Sequence, residues 1–400
     1  MKKLVALLLV AVLCLGCFAA CSGNEGETTT EAPSESSNAP AAEGTLKIGG
    51  IGPLTGGASL YGLAVKNGVE LAVKEINAAG GINGMKLEIN FQDDIHDAEK
   101  SVNAYNTLKD WGMDILIGTV TSTPCIAVQA VAAEDNMFLL TPSATAVESI
   151  ESPTAFRICF SDPNQGVASA DYIADNKLAE KAAVIYNSQD AYSSGIYAKF
   201  ASEAEVKGLE IVAAESFTED SKQDFSVQLQ KIKAAGADLV FLPIYAAETA
   251  LILNQAKSAG LDVKFFGCDG LDGILNIENF DASLAEGVML LTPFAKDASD
   301  KATQDFVAAY LKEYNNDETY LIQFAADGYD CVYAVKAACE KAGITADMDS
   351  AAICDALVKV MTEISLDGVT GAGITWSADG EPNKAPKAVV IENGAYKAMD

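Results

Sequence analysis

Histidine and arginine are almost missing from this 400-residue chain, which has one of each, His96 and Arg157. One imidazole cannot build a metal site or catalytic relay that needs two. One guanidinium leaves no arginine cluster to grip phosphate. Positive charge is scarce as a class: 27 basic residues face 56 acids, for a net charge of −29. Polyanions are therefore repelled, and no nucleic-acid partner is expected. No G-x-x-x-x-G-K-[ST] run occurs to cradle a nucleotide. Cys14 and Cys17 form a C-x-x-C, but inside an apolar N-terminal run with no strand–helix–strand unit around it, so redox chemistry is not implied. Six more cysteines, Cys125, Cys159, Cys268, Cys331, Cys339 and Cys354, contain no C-x₂-C pair for zinc. Their apolar neighbours make them small buried hydrophobes, with one disulfide left open. No metal or cofactor is expected. The rest is ordinary for a globular chain, 50% hydrophobic with 32 glycines and 11 prolines. At roughly 150 residues per domain, that length suggests two lobes.

The N-terminus reads as an address. Met1-Lys2-Lys3 precedes an uncharged apolar run over residues 4–20, short for a membrane span and typical of a secretion signal. It ends in Phe18-Ala19-Ala20-Cys21, which resembles a lipobox, the site where a bacterial signal peptidase cuts before a lipid-bearing cysteine. Cys21 is the expected lipidation site and Cys17 the alternative. An uncleaved anchor helix would equally leave the rest outside the cell. Residues 21–44, with five glutamates and no aliphatic side chain larger than alanine, read as a disordered tether. The body beyond it is too acidic to lie flat on an anionic bilayer.

From residue 45 the chain alternates strand and helix. Residues 46–51, 87–91, 114–118 and 137–140 read as strands, with a helix of 3.6-residue spacing through Val65, Val69, Ala72, Val73 and Ile76. Thr123 before Pro124 suggests a helix N-cap. After Asp162-Pro163 the rhythm restarts, with strands at 182–186, 209–213, 239–242 and 263–266 and helices at 194–204, 225–235 and 247–259. Such alternation implies α/β architecture, two doubly wound parallel-sheet lobes with solute bound at the carboxyl ends of the strands, in the cleft between them. Residues 301–360 read as two helices. Residues 371–376 and 387–392 read as an antiparallel finish.

Gly50-Ile51-Gly52-Pro53-Leu54-Thr55-Gly56 comes close to a dinucleotide fingerprint but has Thr55 at the last glycine position. His96, in Asp93-Asp94-Ile95-His96-Asp97, reads as part of a solvated acidic loop rather than as a catalytic base. Other strings are more specific: Lys47-Ile48-Gly49, residues 52–56, Tyr61-Gly62, LAVKEINAAGGINGMKLE at 71–88, Thr141-Pro142-Ser143-Ala144-Thr145, residues 225–229 and 231–238, Gly267-Cys268-Asp269-Gly270, residues 324–330 and residues 367–371. In this order they strongly resemble the solute-binding proteins of branched-chain amino acid ABC transporters, of the leucine/isoleucine/valine-binding type.

The resemblance implies a type I periplasmic-binding fold joined by a three-strand hinge. Residues 45–160 and 293–373 would form lobe 1, and residues 161–292 and 374–400 lobe 2. It implies that Ser122, at a helix start, holds a ligand carboxylate. Ser143, Ala144 and Thr145 form the turn that completes the carboxylate and ammonium contacts. Asp269 pairs with the ammonium, and Tyr61, Tyr192, Tyr245 and Phe324 make an aromatic wall. Cys268 stands where threonine is common, at the pocket edge. Blander readings exist for each: a helix cap for Ser122, plain turns for Ser143, Thr145 and Asp269-Gly270, packing for the aromatics. The function implied is capture of a small aliphatic or branched-chain L-amino acid outside the cell and its delivery to permease subunits. A lipid-anchored monomer on the outer face of the cell membrane is expected, and no enzyme. The alternatives are a sensory ectodomain, a binder of a short amide, urea or aromatic acid, and an exported enzyme.

Overall fold

A strand such as Ile115-Leu116-Ile117, with no polar residue to face water, needs cover on both faces. The computed structural model describes residues 44–399 and meets that demand twice. In the first lobe, strands β1 (Thr45–Gly52), β2 (Lys86–Asp93), β3 (Ile115–Gly118), β4 (Leu139–Thr141) and β5 (Ala155–Arg157) form a sheet in the order β2-β1-β3-β4-β5. Every pairing is parallel, and Ile48 faces Ile89 on one side and Ile115 on the other. Helices α1 (Ser59–Ala78), α2 (Ala98–Trp111) and α3 (Ser122–Glu134) are its crossovers.

The second lobe repeats the plan. Helices α4 (Asp162–Asp175), α5 (Ala191–Lys207), α6 (Ser226–Ala235) and α7 (Ala246–Ala259) alternate with β6 (Lys181–Asn187), β7 (Glu210–Phe217), β8 (Leu239–Leu242), β9 (Lys264–Gly267) and β10 (Met289–Thr292). The chain then returns to the first lobe for α8 (Lys301–Glu313), α9 (Gln323–Ala342) and α10 (Ser350–Met361) before ending in β11 (Lys387–Glu392) and β12 (Ala395–Ala398). The second sheet runs β12-β11-β10-β9-β8-β6-β7, with β11 and β12 antiparallel to their neighbours.

The first core joins α1 and α9 over the sheet: Val65, Val69 and Ala72 meet Ala325, Val332 and Val335 above Ile48 and Ile117. The helices touch backbone to backbone. A methyl group at Gly68 would lie 1.9 Å from the Ala325 carbonyl oxygen, so only glycine fits the crossing. Lobe-to-lobe passages use irregular segments, 158–161, 293–300 and 362–386. Lys384, buried, ties two of them together, donating to the Ile158 carbonyl (3.0 Å), Thr370 Oγ1 (2.6 Å) and Asp327 Oδ1 (2.9 Å).

Three local expectations are corrected. Residues 301–360 hold three helices, because Gly343 in the left-handed region closes α9 and Asp349 caps α10 through the Ala352 amide (2.9 Å). Residues 371–376 form no strand. They make single bridges at Ile374 and Trp376, and the Trp376 indole is drawn to the Arg157 carbonyl (2.7 Å). Helix α3 starts at Ser122 with Thr121 as N-cap, since a proline in the first turn sacrifices no hydrogen bond. All six body cysteines are free and buried. Among the described residues no helix is long and apolar enough to cross a membrane. The secretion signal, Cys17, Cys21 and the tether up to residue 43 lie outside the described residues.

Candidate functional site

The residues of interest leave the carboxyl ends of strands, where a parallel sheet opens its crevice. From the first lobe come the turn from β3 into α3 and the turn after β4. Ser122 Oγ accepts from the Thr145 and Ala146 amides, each at 3.2 Å, and so pins the second turn against the start of α3. Ser143 Oγ donates to the Val120 carbonyl at 2.6 Å, and Thr141 Oγ1 accepts from the Ala144 amide at 3.0 Å. Beneath this turn sits Arg157, fully buried. Its guanidinium donates to the carbonyls of Ala144 (3.2 Å), Thr145, Ala146 (2.9 Å) and Val147 (3.4 Å), and Glu381 lies 3.4 Å away. Four successive carbonyls thus face a cation, while the amides of Ala144, Thr145 and Ala146 face the Thr141 and Ser122 hydroxyls. The wall above carries no carboxylate. It also includes the first-turn amides of α3, which have no intrahelical partner and lie at the positive end of the helix.

The second lobe presents the opposite chemistry. Asp269 follows β9 and is 4% exposed. The Tyr192 hydroxyl donates to Asp269 Oδ1 at 2.8 Å and accepts from the Gly270 amide at 2.9 Å; Gln165 Oε1 accepts from the Asp269 amide at 3.0 Å. A Cβ at Gly270 would meet that hydroxyl at 2.6 Å, so the Asp-Gly pair is needed for the tyrosine to fit. Burial raises the Asp269 carboxyl to about 7, against the lowering pull of Tyr192 and Gln165, and nearby Asp327 raises it further. A carboxyl in that state gains most from an added cation. Tyr245 stacks on Tyr192 with ring centroids 5.0 Å apart, and Tyr61 lies 5.3 Å from Tyr245 and 4.9 Å from Phe324.

The two walls are closed on each other. Tyr61 in α1 donates to the Gly270 carbonyl (2.6 Å) and accepts from the Ala246 amide (2.8 Å). Gln323 at the start of α9 donates to the Asp269 carbonyl (3.0 Å), and its amide donates to Asp272 Oδ2 (2.9 Å). The cavity between the walls is lined by Tyr61, Val120, Thr121, Ser122, Ser143, Tyr192, Tyr245, Asp269, Gly270 and Phe324, with a volume of about 10 Å³. That is about the room one water needs. A larger solute can enter only by exchanging these lobe-to-lobe hydrogen bonds for its own.

Seven of the nine residues expected from the sequence therefore meet at one cavity: Tyr61, Ser122, Ser143, Tyr192, Tyr245, Asp269 and Phe324. Two stand behind the wall. Ala144 packs with Cys125 and Val128 in the first lobe's core, and Thr145 gives its carbonyl to the Asp162 amide at 2.8 Å. Cys268 is in the second lobe's core, its thiol 3.9 Å from the Ser169 hydroxyl, rather than at the pocket edge. The loop around His96 is not simply solvated: Asp94 is fully buried, with burial raising its carboxyl to about 7. The His96 ring is half-buried, Nδ1 2.9 Å from Thr121 Oγ1, its centroid 5.6 Å from that of Tyr245. Sequence reasoning passed over Arg157, Gln165 and Gln323. Only Arg157 left a signal, as the one arginine of the chain.

Residues 45–395 match a family model described as periplasmic binding protein. The chain is 34% identical over 322 residues to Leu/Ile/Val-binding protein homolog 3 of Brucella melitensis, covering 80% of this chain and 84% of that one. It is 31% identical to the leucine-, isoleucine-, valine-, threonine- and alanine-binding protein of Pseudomonas aeruginosa, over 75% and 79% of the two chains. In structure it resembles the branched-chain amino acid transporter substrate-binding protein of Streptococcus pneumoniae, solved with isoleucine. The TM-score is 0.80 at 29% identity, over 88% of this chain and 98% of that one.

Proposed function

The chain belongs to the periplasmic binding protein family, and on that premise we propose that it is the solute-capturing component of an ABC importer, specific for a small aliphatic L-amino acid. Residues 45–160 with 293–373 act as one jaw, and residues 161–292 with 374–400 as the other. The ligand carboxylate sits against the α3 start at Ser122 and the Ser143 turn. The ligand ammonium takes Asp269. The aliphatic side chain lies among Tyr61, Tyr192, Tyr245 and Phe324, where burial of a leucine side chain is worth roughly 1.5–3 kcal/mol. No bond is made or broken. Closure follows because only the shut form presents both walls to one molecule, and a ligand shifts the balance by its differential affinity for that form. The shut form is what permease subunits engage. A lipid on Cys21, or on Cys17, holds this monomer at the outer face of the membrane.

The observation that carries this reading is one buried acid with no cation bonded to it among the described residues, facing across one small cavity a wall without a carboxylate at the positive start of α3. A zwitterion satisfies both walls, whereas a plain anion would leave Asp269 without a cation. The test is a thermal-shift screen of the purified protein over amino acids, short amides, urea and aromatic acids. Leucine, isoleucine or valine should raise the unfolding temperature most. Stabilisation by an aromatic acid or amide alone would overturn the assignment.

A further inference from the structure

A second, larger chamber lies in the same cleft, outside the cavity just described. It has a volume of about 320 Å³ and draws its lining from both lobes. This is within the range of sites for small organic molecules. Four of its lining groups are carboxylates: Asp97 from the first lobe and Asp190, Glu219 and Glu248 from the second. Lys222 is the one cationic amine among them, 2.7 Å from Glu219 Oε2 and 3.5 Å from Glu248 Oε1. One lysine against four acids leaves the chamber negative. Glu248 is 9% exposed, and its Oε2 is buried with no hydrogen-bond partner among the described residues. Burial raises its carboxyl, with Lys222 pulling the other way. Asp190 is 4% exposed and bonded through Oδ1 to Thr123 Oγ1 (3.1 Å) across the cleft. A buried carboxylate oxygen left without a donor is costly, and a cationic guest relieves that cost.

Tyr245 separates this chamber from the inner cavity, since it lines both. Its ring is held by stacking on Tyr192 and by the edge of His96. Its backbone carbonyl accepts from the Thr249 amide. Its side chain is half-buried and is fixed by ring packing alone, with no hydrogen bond to its hydroxyl among the described residues.

We propose that the outer chamber is a subsite for a positively charged group, and that Tyr245 is the partition deciding whether that group can belong to the solute held at Asp269. This rests on the function proposed above, because the inner site supplies the α-carboxylate and ammonium contacts. With Tyr245 in place the inner cavity takes short aliphatic solutes. With the ring removed, the two spaces join, and an amino acid whose side chain ends in an ammonium can reach Glu219 and Glu248.

The experiment is calorimetry with leucine, norleucine and lysine on wild type, Tyr245→Ala, Tyr245→Leu, and Tyr245→Ala combined with Glu219→Gln and Glu248→Gln. Tyr245→Leu serves where the alanine variant does not unfold cooperatively. Lysine should bind a Tyr245 variant at least tenfold more tightly than it binds wild type, with a larger gain than norleucine shows. The two glutamine substitutions should remove at least tenfold of that gain and leave norleucine within twofold. Equal gains for lysine and norleucine overturn the proposal, since the chamber would then be only space. No gain for lysine in either variant overturns it as well. Leucine binding by wild type is scored separately. Its presence without a lysine gain leaves the proposed function standing, its absence with a lysine gain overturns the function alone, and failure of all three solutes overturns both.

Discussion

The two walls of the inner cavity are built in opposite ways. The first lobe supplies backbone and hydroxyl groups locked from behind: Ser122 accepts two amides and Arg157 holds four carbonyls of the same turn. The second lobe supplies one acid whose carboxylate accepts from the Tyr192 hydroxyl, with no cation bonded to it among the described residues, while Gln165 accepts from its backbone amide. One wall is thus satisfied before any ligand arrives, and the other is not. Damage to the first should cost stability and affinity together. Damage to the second should cost affinity alone.

The largest effect to test is Arg157→Met. It strands four carbonyls that had a buried cation, so unfolding in urea should show a loss of about 3–5 kcal/mol; a loss below ~1 kcal/mol would show that the turn holds itself. Next is Asp269→Asn, which removes the ammonium partner. Leucine affinity by calorimetry should fall more than a hundredfold, about 3 kcal/mol, while the unfolding midpoint stays level or rises, because a strained buried carboxyl is gone. If the midpoint falls with the affinity, the contrast between the walls disappears.

Acid gives a third, smaller effect. Burial raises the ligand-free Asp269 carboxyl to about 7, and a bound ammonium would hold it ionised, so proton and ligand compete. Affinity should be full well above pH 7 and decline as pH drops below it, approaching tenfold per unit. Calorimetry at pH 8 and pH 6 checks the sign, and a level profile would remove the ammonium contact. The smallest effect is Ser122→Ala, which leaves the Thr145 and Ala146 amides without their acceptor. It should lower both stability and affinity by about 1–2 kcal/mol, read by urea unfolding and calorimetry on the same preparation.

Much of this was legible in order along the chain, because local pattern carries it. Apolar runs such as residues 115–117 and 239–242 announced buried parallel strands. Asp269-Gly270 and the Ser143–Thr145 turn were visible as strings. Their division of labour was not. That Ser143 and Ser122 are spent on neighbouring backbone, that Thr145 stands behind the wall, and that Thr123 reaches Asp190 rather than capping a helix all depend on contacts between segments 20 to 70 residues apart. A composition count could note that Arg157 was alone but not that it lies under the turn.

The sequence by itself determined the alternation of strand and helix and the acidic character that turns polyanions away, since these follow from local periodicity and from charge, while the residues for a dipolar solute came from the family resemblance of its strings. Only the tertiary structure decided which of those residues face one another. It also decided how small the space between them is and that Asp269 is pushed toward neutrality, because burial and closure are properties of two lobes brought together across three separate chain crossings.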